Sequence, residues 1–386
     1  MMMNRIQSIL GNTLGRQLCQ GPPSIDDLLS LPQQLLAQPK SAKKAKVSDI
    51  NITELPSDVL FVISDHLDAA SAHALSLTCR TMYCAGLPKT QNKLEDSDRM
   101  TLLSTLERDS FGKGFYYCHK CNILHRYQQT WGPHAEAEAA GTKGLPVCQS
   151  RDRFGPTGNA YDIGYHHARL AMNAHLYGPE FGIPLENICI TQEDRRQSTH
   201  VRSSTAAKIT DNQLFILRSY SFVVPKNAVP EFRKCAGIRD FRLCEHLPFF
   251  RNASIYGQCV PELQRRPRKS ASSSSGKQSE NSFVPCTDSQ GSCGLCMLDY
   301  DISIKLEAGA WHVDINAYHQ LGDCRSPDEW MWARFTEKSR LNLFLPCRPN
   351  RRGTEHVAGT VKQRWVASVN DPVAYSSEDA DHRHTL

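Results

Sequence analysis

Cys118 and Cys121 stand two residues apart in the segment YYCHKCNILH, His125 follows four residues on, and Cys148 comes after a polar stretch containing glycine. A second set comprises Cys244 and His246, then Cys293 and Cys296. Zinc takes four thiolate or imidazole ligands in a tetrahedron, and a C-x-x-C turn lets two thiolates reach one ion. The spacing therefore predicts two zinc sites. One is formed by Cys118, Cys121, His125 and Cys148, the other by Cys244, His246, Cys293 and Cys296. The long intervals between pairs leave the pairing open. Four protein ligands leave no position for a catalytic water, so the predicted role is structural. The plainer reading is that these are reduced, buried cysteines that pack as small hydrophobes. A redox pair would instead open a helix after a strand, which neither C-x-x-C does. Of the remaining cysteines, Cys286 is the expected substitute ligand.

The chain has fifteen cysteines, an odd number that no complete set of disulfides can absorb. Thiols and metal ligands in a reducing compartment are the expectation. MMMNRIQSILGNTLG lacks an apolar core with a cleavage site, and no apolar run reaches bilayer length. A soluble protein of the cytoplasm, the nucleus or both is expected, with no membrane partner. At 386 residues, 40% hydrophobic and 22% charged, the chain is globular with polar interruptions. A formal charge of +5 argues only weakly for nucleic acid. The motifs G-x-S-x-G and H-E-x-x-H are absent, as are a Walker A loop and a dinucleotide glycine loop, so no enzymatic chemistry is signposted.

The elements that must position the cysteines are mixed. Tyr161 to Tyr177 reads as a helix stopped by Gly178-Pro179, with His166, His167 and His175 as ordinary helix histidines. Phe215 to Val224 reads as a strand ending at Pro225. The alternations Ile302, Ile304, Leu306 and Trp311, Val313, Ile315 flank Glu307-Ala308-Gly309 and predict a β-hairpin. The aromatic group Trp330, Trp332 and Phe335 is expected to fill a core. The expected class is α+β with an antiparallel sheet. Residues 1–50 read as a disordered leader, 261–285 as a flexible insertion whose basic run 265–269 resembles an import signal, and 367–386 as a polar tail.

Ahead of this body, residues 51–95 form a separate helical segment. Pro56 suits a first helical position, with Ser57 and Asp58 in the first turn. Val59, Leu60, Ile63 and Leu67 follow at helical spacing. Asp68 is placed to cap a second helix that turns Ala70, Ala74, Leu75 and Leu77 inward, and Cys79, Met82 and Tyr83 continue the apolar path. So short a segment is marginal alone and should lean on a partner or on the rest of the chain.

Leu55-Pro56, the Val-Leu-x-x-Ile run, Leu67-Asp68 and the stretch Ala-Leu-Ser-Leu-Thr-Cys-Arg ending at Tyr83 resemble an F-box. The resemblance implies a module that docks on the Skp-type adaptor of a cullin-based ubiquitin ligase. Its contacts would be Leu55, Pro56, Val59, Leu60, Ile63, Leu67 and Leu75. C-x-x-C-x-x-x-His, the GIPL segment at 182–185, Cys-x-His, the later C-x-x-C and YHQLGDCRSPDEWMW at 318–332 are together similar to the cysteine-rich F-box proteins of filamentous fungi. Residues 96–366 would then be a zinc-stabilised α+β domain that recognises an unknown protein substrate, and the chain a non-catalytic adaptor. A RING-like zinc ligase and a zinc-dependent nucleic-acid binder are the competing readings.

Overall fold

The computed structural model describes residues 52–90, 93–133, 135, 153–159, 161–196, 199–238, 241–251, 258–267, 282–336 and 356–367. The expected leader 1–50, Cys148, most of the insertion and nearly all of the tail lie outside the described residues. The chain divides into two compact units, Met1–Tyr127 and Gln128–Leu386. The division falls well beyond the boundary at 95 drawn from the sequence, because a further helix packs onto the N-terminal helices and a hairpin packs onto that helix.

In the first unit, α1 (Ser57–His66), α2 (Ala69–Thr78) and α3 (Arg80–Cys84) precede α4 (Asp96–Arg108) and the hairpin β1 (Phe115–Cys118) and β2 (Ile123–Arg126). Pro56 caps α1 from outside rather than opening it, with an extended ψ of 145°. Asp68 caps α2: its Oδ1 accepts the Ser71 amide at 2.7 Å, and that hydrogen bond lowers the carboxyl pKa. Leu60, Met82 and Leu87 form a first apolar cluster, with Leu55, Phe61, Leu75 and Cys79 against it. A second joins Ala70, Leu94 and Leu102, packed by Ala69, Ala74 and Leu106. Leu77 and Tyr83, expected inside, are exposed, because the chain turns at Cys79 and α3 starts on a new axis.

The second unit is built on a six-stranded antiparallel sheet ordered β10-β11-β12-β7-β6-β5. These strands are β5 (Ile190–Arg196), β6 (Thr199–Thr210), β7 (Gln213–Pro225), β10 (Cys286–Ser292), β11 (Leu298–Glu307) and β12 (Ala310–Gly322). Period two decides the faces. Arg218, Tyr220, Phe222 and Val224 of β7 oppose Ala317, Ile315, Val313 and Trp311 of β12, all buried. Tyr300, Ile302 and Ile304 of β11 continue that face. The β11–β12 turn places Ala308 and Gly309 at φ of 47° and 82°, the pair of positive values a two-residue hairpin of this twist requires. Phe222 packs its ring against Phe232, Phe241 and Phe249. On the opposite face Phe215 and Tyr318 meet Val361 and Trp365 of the last described helix, α9 (Thr360–Ala367).

Around this sheet lie short hairpins and helices. They are β3 (Arg153–Phe154) with β4 (Ile163–Gly164), α5 (Tyr165–Tyr177), α6 (Val229–Ile238), β8 (Arg242–Cys244) with β9 (Leu247–Pro248), α7 (Pro261–Gln264) and α8 (Trp330–Phe335). The helix expected from Tyr161 begins only at Tyr165, because Ile163 and Gly164 pair with β3. His166 and His167 are buried along it. Gly182 of the GIPL segment presses so closely on Leu170 of α5 that a Cβ has no room. Trp332 and Phe335 fill the core as expected, while Trp330 is exposed. Both ends of the segment expected to be a flexible insertion are packed: Leu263 is buried in α7 and Phe283 lies against Trp311. Serine-rich composition marked the middle of that stretch, whereas its flanks carry apolar anchors. Among the described residues no helix is long and apolar enough to cross a membrane.

Candidate functional site

Two groups of cysteine and histidine side chains assemble, one in each unit. In the second unit Cys244 ends β8, His246 lies in the turn to β9, and Cys293 and Cys296 sit in the turn from β10 to β11. Their ligand atoms all lie within 4.8 Å of one another. A tetrahedron with metal–sulfur bonds of about 2.3 Å has edges of about 3.8 Å, so small side-chain adjustments close it. The Cys293–Cys296 turn is tied by hydrogen bonds from the Cys293 amide to the Leu298 carbonyl and from the Leu298 amide to the Cys296 carbonyl, each 2.9 Å. The Leu295 amide donates to Cys293 Sγ at 3.4 Å, a contact that favours a thiolate.

All four residues are at most 1% exposed. Burial pushes the Cys244 thiol up to about 11 and Cys296 well above its ordinary value. The Cys293 thiol is pushed far down, chiefly by hydrogen bonds from Cys244 and Cys296. Three sulfurs so crowded and so dry repel one another as thiolates, and a divalent cation held between them and the imidazole removes the conflict. The donor set therefore fits a metal ion. Cys286 is not among these ligands: its thiol donates to the Ile302 carbonyl along β11.

The first group is built by the β1–β2 hairpin. Cys118 pairs with Ile123 and Tyr116 with His125, so Cys118 and His125 lie diagonally on one face. Cys121 reaches that face from the turn, where Asn122 takes a φ of 51° and its amide donates to the Cys118 carbonyl at 2.8 Å. Phe115, Tyr117 and Leu124 occupy the opposite face and form a cluster with Phe111, packed by Leu103 and Leu106 of α4. The three ligand atoms lie within 4.8 Å of one another. Burial alone lowers the His125 pKa, but hydrogen bonds and charge from Cys118 and Cys121 outweigh it and raise the value to about 9. Two sulfurs and an imidazole nitrogen facing one another are the soft donor set that zinc takes. His125 is buried, whereas Cys118 and Cys121 are half-buried. Cys148, the fourth expected ligand, is not among the described residues.

The expected docking residues separate into two kinds. Leu60 is 3% exposed and belongs to the internal cluster, with Leu55 and Leu75 against it. Pro56 and Val59 are exposed, and Ile63 and Leu67 are half-buried. Val62, which the sequence reading passed over, is 59% exposed, more than Val59 at 42%. The apolar period marks the side of a helix that turns inward, so an exposed apolar residue on the other side escapes it.

Compared with known proteins, a family model of the F-box domain matches residues 52–85, from the turn before α1 through α3. No curated protein and no solved structure matches the chain.

Proposed function

We propose, from the F-box domain that the chain carries at residues 52–85, that the protein is the non-catalytic, substrate-recruiting subunit of a Skp/cullin/F-box ubiquitin ligase. F-box domains bind Skp-type adaptors, and through the adaptor the chain would reach the cullin. The observation that carries the reading is the F-box match together with the apolar residues this module leaves outside. Val59 and Val62 lie three positions apart on one side of α1, with Pro56 exposed just ahead of the helix and Ile63 and Leu67 half-covered. Leu60, Leu55 and Leu75 would support that surface from within. The second unit would hold the protein substrate, and the contribution to rate would be proximity between substrate lysines and the charged ubiquitin carrier. Such a subunit would work in the cytoplasm, the nucleus or both.

In this reading both metal groups hold zinc, two ions per chain, as structural elements. Zinc supplies a fixed tetrahedral junction and no bond-making chemistry here. Cys244, His246, Cys293 and Cys296 would hold one ion; Cys118, Cys121 and His125 would hold the other, the expected fourth ligand Cys148 lying outside the described residues. The groups follow one another along the chain rather than interleaving, which disfavours a cross-braced RING-like module. Among the described residues, nothing in the geometry favours nucleic acid.

Capture by a purified Skp-type adaptor tests the docking surface. The Val59→Asp, Val62→Asp pair places two charges on an exposed face, so the chain keeps its helical circular dichroism and loses adaptor capture. Undiminished capture by that folded variant would overturn the assignment of the face. Leu60→Asp makes a poor test, because it buries a charge inside the module and unfolds it.

A further inference from the structure

We infer that the metal group of the β1–β2 hairpin governs adaptor docking, so that the F-box works at full affinity only while Cys118, Cys121 and His125 hold their ion. The inference rests on the docking reading above and adds a control to it. The F-box match ends at residue 85, yet the compact unit that contains it runs to Tyr127. Residues 93–127 complete the core that the F-box helices leave open.

A continuous path joins the two parts. Ala69, Ala70 and Ala74 of α2 pack with Leu94, Leu102 and Leu106, and Leu106 also packs, with Leu103, against Phe111, Phe115, Tyr117 and Leu124. Polar contacts run along the same line. Arg99 Nε of α4 donates to the Asn122 carbonyl in the hairpin turn at 3.0 Å, and the Tyr117 hydroxyl donates to Asn122 Oδ1 at 3.0 Å. The Glu107 carboxylate, 1% exposed, accepts the Tyr117 amide at 2.9 Å. A hairpin with strands of four residues does not stand alone in water. Its two faces are held by different means, one by the apolar cluster and the other by the metal ligands. Loss of the ion frees the turn at Asn122 and Cys121, and with it the face that α4 offers to α2.

Accessibility sets the order of release. Cys118 and Cys121 are half-buried, whereas the four ligands of the second unit are at most 1% exposed. A competing chelator therefore reaches the hairpin ion first. All five tryptophans, at 131, 311, 330, 332 and 365, lie in the second unit, so their emission reports on that unit alone.

The test is a chelator titration of the zinc-loaded full chain, following metal release with a coloured indicator, tryptophan emission, and affinity for a purified Skp-type adaptor. The expected result is a first release step with unchanged emission and adaptor binding about tenfold weaker, as when only a tenth of the molecules keep a competent module. A second step then shifts the emission. Cys121→Ser in the full chain should reproduce the first step without chelator, while Cys296→Ser should disturb emission and leave adaptor affinity intact. Release of the first ion with undiminished adaptor affinity would overturn the inference, as would simultaneous loss of both ions. Failure of the fully loaded chain to bind the adaptor would instead overturn the docking reading on which it rests.

Discussion

Cys296→Ser is expected to remove one metal ion per chain and to abolish cooperative unfolding of residues 128–386. Binding of zinc to a four-ligand structural site is worth about 10–16 kcal/mol in small fingers. A whole domain is stable by only about 5–15 kcal/mol, so loss of the ion exceeds what the remainder can absorb. The position explains why the effect should not stay local. β8 and β9 are three and two residues long, too short to hold their place by strand pairing. Cys244 and His246 face Cys293 and Cys296 of the β10–β11 turn, on the edge side of the six-stranded sheet. His319 of β12 lies at the same place: its Nε2 meets the Leu243 carbonyl at 2.9 Å, and burial lowers its pKa to about 4. Elemental analysis with calorimetry and tryptophan emission is the measurement. A variant with two ions per chain and an unchanged melting temperature would show that Cys296 is no ligand.

Asp299→Ala should cost about 3–5 kcal/mol and release α9 from the sheet, the second largest effect. Asp299 is 1% exposed, and its carboxylate accepts the amides of Gly359, Val361 and Lys362 at 3.0, 2.7 and 3.1 Å. A residue of β11, some sixty positions away, thus caps the N-terminus of α9. Hydrogen bonds to a charged group contribute about 1.5–3 kcal/mol each, and amides left dry without an acceptor cost more. Val361 and Trp365 would lose their seat on Phe215 and Tyr318 as the helix leaves. At about 2–4 °C per kcal/mol for a unit of this size, the melting temperature should fall by about 10 °C. Limited proteolysis should open a new site within 356–367. Asp299→Asn should behave nearly as badly, since its amide group turns donors toward donors. Resistance of that helix to protease in both variants would mean that packing alone holds it.

Elements governed by short-range rules were legible in advance. The β11–β12 hairpin shows in its alternation and turn residues, β7 in its aromatic and β-branched run, and α2 in its Asp68 cap, because each depends on neighbours within a few positions. The helical module at 52–85 was legible for the same reason. The capping of α9 by Asp299 was not, since nothing near either residue refers to the other.

The sequence by itself determined which side chains are available as metal ligands and where the helices of the F-box lie. A C-x-x-C turn is local chemistry, and an apolar stripe is local geometry. Only the tertiary structure decided how those parts are used. It placed Leu60 inside and Val62 outside, because the stripe is covered by Met82 and Leu87 from later in the chain. It gave the hairpin of Cys118, Cys121 and His125 to the unit that holds the F-box rather than to the body, because Leu106 packs both in the hairpin cluster and in the cluster between α2 and α4. Partition of a chain into units follows from long-range burial, and long-range burial is set by packing rather than by spacing.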